Sequence, residues 1–169
     1  MITNFPGNLF DQIVKRLTLK VPELRFIDQD LGQLEHYSNQ PAVSWPCALV
    51  DIKEFNFTDI GNDHLQLGTG LIQIRVAHTP YSPSNSLAPQ DVREKAVGYY
   101  ALEQKVFKSL HGWQEIGFSK LLRRYERTES RNDNIRVRAI GYFTSYTDDS
   151  AKPIKTTVHR PGANISTNS

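Results

Sequence analysis

The chain has 169 residues, 38% of them hydrophobic, and its 20 Lys and Arg against 18 Asp and Glu give a formal net charge of +2. That length suits one domain with appendages, and so even a balance excludes a protein whose nucleic-acid binding shows in its bulk charge, leaving any basic patch to be found by position. A single cysteine, Cys47, excludes an intrachain disulfide and a thiolate metal cage within one chain, while short apolar runs and a start without a signal pattern lead to the expectation of a cytoplasmic protein that crosses no membrane.

Leu9, Ile13, Val14 and Leu17 recur at helical spacing, with Asn8 as a cap and Pro22 as a stop, and predict a first helix over 8–19. In 21–40, Leu24, Phe26, Ile27, Leu31 and Leu34 follow no period and Pro22 and Gly32 interrupt them, so a loop with a helical turn is expected. Residues 42–57 alternate as a strand that sends Leu49, Asp51, Lys53, Phe55 and Phe57 one way and Ala48, Val50, Ile52 and Glu54 the other, with Pro46 marking an edge or bulge near its start. A turn over 58–62, with Gly61 and Asn62, leads to a second strand over 65–78 whose Ile72, Ile74 and Val76 face a core; an antiparallel hairpin is the simplest pairing.

Pro80, Pro83 and three serines make 79–88 an exposed loop. One long amphipathic helix is predicted over 91–111: Asp91 and Glu94 fit a capping pattern, Val92, Ala96, Tyr99, Val106 and Leu110 share a face, and Gly112 stands at the C-terminal cap. Residues 118–128 and 135–146 read as paired strands around a turn over 129–134. The fold class is therefore α+β, a mostly antiparallel sheet of about four strands with an N-terminal helix and one long helix packed on it, in a domain of residues 1–149. Residues 150–169 are polar, with Pro153, Pro161 and Gly162. They read either as a disordered tail without a role or as an extended arm ordered against a neighbouring subunit through Ile154, Val158 and Ile165.

No catalytic, metal-binding or cofactor-binding set stands out. Cys47 beside Pro46 reads as a small buried hydrophobe. Asp51, Glu54, Asp59, Asp63 and His64 fall in one hairpin, but loosely enough to read as a solvated tip, and His36, His78, His111 and His159 fall in separate elements. The best charge feature is Lys120, Arg123, Arg124, Arg127, Arg131, Arg136 and Arg138, interleaved with Tyr125, Tyr142 and Tyr146. With Glu126, Glu129 and Asp133 as cross-strand partners it reads first as a solvated or subunit-facing charged sheet face, and in the alternative as a basic or lumen-lining face that meets passing DNA.

Over residues 5–148 the order of elements resembles the tail-completion or tail-terminator proteins of long-tailed bacteriophages. The likeness rests on the leading helix Leu9 to Leu19, Pro41-Ala42-Val43-Ser44-Trp45-Pro46 ahead of a strand, the strand Gly70 to Ala77, the Asp91 to His111 helix, and an Arg-rich hairpin ending in Tyr142-Phe143-Thr144-Ser145-Tyr146-Thr147-Asp148. It implies a non-enzymatic structural protein at the tail-neck junction of a virion, assembled in the host cytoplasm. Its copies would form a homohexameric ring that caps the tail tube and meets neck or head-completion proteins. Contacts with neighbours and partners are then expected at Asp59, Asn62 and Asp63, at Tyr81 and Asn85, and at Ile154 and Val158. Another head-tail connector, a neck or baseplate component, and a nucleic-acid-binding module using the arginine hairpin are the alternatives.

Overall fold

The computed structural model describes residues 5–35, 43–79 and 84–153. Helix α1 (Phe5–Lys20) buries Phe5, Leu9, Ile13 and Leu17, a four-residue repeat that keeps one face against the core. Strand β1 (Phe26–Gln29) follows, then β2 (Cys47–Ile60), β3 (Asn62–His78), α2 (Gln90–Ala96), α3 (Gly98–Leu110), β4 (Leu122–Thr128) and β5 (Arg136–Asp148). The sheet runs β1-β2-β3-β5-β4, antiparallel throughout except that β1 lies parallel to the start of β2. The expected α+β class, with its mostly antiparallel sheet and two packed helical regions, is what forms.

Helices α1 and α3 cover one sheet face, where Ala48, Val50, Ile72, Ile74, Val76, Ile140 and Tyr142 meet Leu9, Ile13, Leu102, Val106 and Leu110. A smaller cluster of Leu34, Cys47, Leu49, Ala77, Ile135 and Val137 lies on the other face. Residues 111–121 fold back as a loop that seats Phe118 and Leu121 in the main core. Gly112 donates to Leu121 O and Leu121 donates to Trp113 O. Gly112 adopts the left-handed conformation (φ +76°) just beyond α3, as its predicted capping position requires.

Four expectations need correction. The segment 21–40, expected to be a loop, holds β1, because the four residues Phe26 to Gln29 are fixed by distant parallel pairing with Cys47 to Val50 and by no local period. The single helix over 91–111 is broken at Val97 (φ −98°, ψ 1°), α2 burying no side chain and α3 burying five. No side chain caps α2; Pro89 precedes it and Asp91 lies within its first turn. The alternation in β2 reverses part-way, because the register slips between Ile52 and Glu54 at Lys53. One extra residue turns Phe55 and Phe57 onto the helix-covered face, opposite Gly70 and Gly68. Finally, β4 starts at Leu122, since 118–121 is spent on the core-filling loop.

Candidate interaction surfaces

Two strand edges lack a neighbour among the described residues. Strand β1 covers only the first four residues of β2, the last hydrogen bond on that side running from Asp30 N–H to Val50 O at 2.9 Å. From Asp51 to Ile60, β2 pairs with β3 alone. On the far side of the sheet, β4 pairs with β5 alone. The β2 edge carries the bulge at Lys53, which forms an ion pair with Asp51 at 2.5 Å, then the exposed Glu54, Phe57, Asp59 and Ile60. Charges and a bulge on an open edge oppose indiscriminate strand addition.

The arginines of the β4–β5 hairpin do not share one face. Arg136 and Arg138 point toward α3, where the nearly buried Glu103 (4% exposed) receives both, Arg136 at 3.2 Å and Arg138 at 3.6 Å. Burial raises the Glu103 pKa against the pull of these two guanidinium groups. Arg136 also lies over the rings of Tyr99 and Tyr100. Glu126 takes Arg138 across the strands at 2.6 Å and Arg123 at 2.5 Å on its own strand, and Arg123 stacks over Phe107. Arg124 and Arg127 lie on the opposite, helix-free face, over Phe143 and Tyr125 respectively, with no carboxylate partner among the described residues.

Arg131 belongs to a network that the sequence did not disclose, centred on Arg75 of β3. The Arg75 guanidinium, 7% exposed, meets Asp30 at 3.0 Å, Glu35 at 2.5 Å and Glu129 at 2.8 Å. Burial works against its charge, but the hydrogen bonds it donates to Glu35, Glu129 and Asp30 outweigh that, and its pKa rises. Arg131 adds Asp133, Glu35 at 3.2 Å and the Leu34 carbonyl. Hydrogen bonding from Arg75 lowers the Glu35 pKa and that from Arg131 lowers the Asp133 pKa. The network ties the end of β1, the C-terminal part of β3 and the β4–β5 turn together. An arginine between the core residues Ile74 and Val76 was its signal in the sequence, but its partners lie 40 to 54 residues away.

The remaining candidates scatter. Cys47 is wholly buried and burial pushes its thiol up to about 12, in keeping with the small-hydrophobe reading. His78 is half-buried against Tyr99, and its Nε2 has no hydrogen-bond partner among the described residues. His111 stacks on Phe107 and accepts the Arg123 N–H at Nδ1. Among the described residues no group of three or more His, Cys, Asp or Glu is placed to hold a metal ion, and no helix is long and apolar enough to cross a membrane. Asp59 accepts from Gln66 Nε2 at 2.9 Å, and Asn62 closes the β2–β3 turn opposite Ile60 after Gly61 at φ +74°. Asp63 is the second residue of β3. Asn85 bonds the Leu87 N–H at 3.0 Å, forming a local turn. Tyr81, Ile154 and Val158 lie outside the described residues. A groove of ≈ 440 Å³ opens between α1 and the 111–121 loop, lined by Gln12, Lys15, Arg16, Leu19, Trp113 and Ile116.

No protein-family model matches the chain. No curated protein matches it in sequence either. Among solved structures, one similar chain comes from the virion of a native gene transfer agent particle, with 12% identity, a TM-score of 0.48, and coverage of 85% of this chain and 97% of that one.

Proposed function

We propose that this chain is a structural virion subunit, a tail terminator or tail-completion protein whose copies close into a ring, of six in the family it resembles, that caps the tail tube and joins it to the neck. The observation that carries this reading is the pair of strand edges left open among the described residues at the two sides of one sheet. A closed ring of identical subunits needs two different patches on each copy, placed so that one patch meets the other on the next copy. The β2 and β4 edges are such a pair. The β2–β3 tip at Asp59, Asn62 and Asp63, the loop bearing Tyr81 and Asn85, and an arm carrying Ile154 and Val158 then serve the tail tube and the neck or head-completion proteins.

The test is the native mass of the purified protein, together with electron microscopy of tail tubes from particles lacking it. A mass at an integer multiple of the subunit, six being expected, and tubes of uncontrolled length that fail to join heads would support the reading. A protein that stays monomeric at tens of micromolar, with tube length and joining unchanged on deletion, would remove it.

A further inference from the structure

We infer that the ring closes by strand addition: β4 of one copy pairs antiparallel with the open part of β2 on the next, joining the sheets of neighbouring subunits, with Arg124 and Arg127 set against Asp51 and Glu54. This inference rests on the ring reading and specifies its interface. Direction is the first argument. Because β2–β3, β3–β5 and β5–β4 are each antiparallel, β2 and β5 run one way and β3 and β4 the other. Rotation about a ring axis parallel to the strands preserves those directions, so a β4 edge arriving at the next copy's β2 meets it antiparallel, the more stable pairing. The same rotation keeps the helix-covered faces of all copies on one side.

Length is the second argument. The fourteen residues of β2, less the four that β1 covers, leave ten open, Asp51 to Ile60; in the register that sets Arg127 beside Asp51, Arg124 to Arg127 lie along Asp51 to Glu54, with Arg123, whose N–H already donates to His111 Nδ1, and Thr128, opposite the covered Val50, at the two ends of the contact. The third is charge on a shared face. Residues paired directly across a sheet project to the same side. Asp51 lies opposite Gln73 and Glu54 opposite Leu71, on the face that carries Arg75, away from the helices. Arg127 lies opposite Ala139, itself opposite Arg75, and the bulged Arg124 rests over Phe143, itself opposite Leu71. All four charges therefore occupy the helix-free side. The spacing agrees as well, since an antiparallel register that sets Arg127 beside Asp51 sets Arg124 beside Glu54.

Among the described residues neither arginine nor Glu54 has an ion-pair partner, which fits a contact that another copy completes. Complementary cross-strand charges of this kind select the partner more than they add raw affinity. The bulge and charges that blunt the β2 edge exclude uncharged strands, and a strand carrying two arginines on the correct face is the one they admit.

The experiment uses the full chain. A variant carrying Asp51→Cys and Arg127→Cys, oxidised mildly, is expected to give a denaturing-gel ladder of multimers that ends at the ring number, while either single variant gives none. The buried Cys47 does not compete. In parallel, Arg124→Glu with Arg127→Glu, and separately Asp51→Lys with Glu54→Lys, should each shift the native mass to monomer while the circular dichroism spectrum is retained. Mixing the two folded variants should restore rings, because each interface regains opposite charges. If both variants keep the full ring mass and the double-cysteine ladder is absent, the edge pairing is overturned and the ring reading stands. A wild-type chain that never assembles overturns both.

Discussion

At Gly70 the chain depends on having no side chain at all. A Cβ there would collide with the backbone carbonyl of Glu54 and with the Phe55 ring, whereas one at Gly68 would meet only ring edges, Tyr146 at 2.8 Å and Phe57 at 2.9 Å. Both glycines lie beneath an aromatic cluster in which Phe5 stacks on Tyr146 while Phe55 and Phe57 approach Tyr146 edge-on. This cluster pins the N-terminal end of α1 to the sheet. Carbonyls cannot swing away and rings can, so Gly70→Ala should cost about 3 kcal/mol and Gly68→Ala about 1 kcal/mol, within the range for overpacking a filled site. Urea unfolding midpoints measure the two, and equal losses would contradict the distinction between backbone and ring. The glycines were visible in the sequence as residues of a strand. Their importance was not, because the rings that fill their space come from β2, β5 and α1.

Among the elements, what was legible follows from the range of the interactions. The first helix, the β2–β3 hairpin and the β4–β5 hairpin are set by local period and by turns, and all three form where the pattern placed them, to within a few residues at their ends. What was missed depends on contacts distant in sequence or on one residue out of step. Strand β1 exists through its pairing with β2, and Lys53 alone reverses which face Phe55 takes, a change that no alternating pattern records in advance. The same division splits the candidate surfaces. The arginine hairpin was legible as composition, while its separation onto two faces, with Glu103 and Glu126 neutralising one of them, required the packing of α3. The break at Val97 is a third case: the apolar spacing from Val92 to Leu110 is continuous, yet among the described residues α2 only partly covers Val92 and Ala96 and buries neither. A helix of seven residues with no buried side chain is held by little beyond its own hydrogen bonds. Amide exchange should therefore be fast across 90–96 and protected by at least a hundredfold more at Leu102, Val106 and Leu110. Equal protection would mean that α2 is covered in the assembled state, which exchange on monomer and ring would distinguish.

For the molecule as a whole, the buried charges set the response to acid. His78 takes a depressed pKa, from an ordinary 6.5 to about 4, because burial and then the neighbouring Arg136 disfavour its imidazolium. Between those values the unfolded chain binds a proton that the folded chain refuses, so stability falls as pH drops from 6.5 toward 4. Glu35 and Asp133 are lowered by Arg75 and Arg131; their stabilising contribution is present above the ordinary carboxylate range and is lost as pH falls through their folded values. Glu103 has the opposite sign: its raised pKa favours the folded state in acid and weakens it as pH climbs past the ordinary value, which opposes the carboxylate step. Two phases are thus expected in the urea midpoint against pH, a shallow decline beginning near 6.5 and a steeper one below about 4.5 as the carboxylates are protonated. His78→Phe, which retains a ring against Tyr99 and has no proton to gain, should abolish the first phase and leave the second. Arg75→Met should act in the reverse sense: with three carboxylates left facing one another, it lowers stability at pH 7 by about 3 kcal/mol and narrows that deficit as pH falls and they are neutralised. A histidine variant that retains the decline between 6.5 and 4.5 would show that the burial of His78 beside Arg136 is not its origin, since the lowered carboxylates act only below that range.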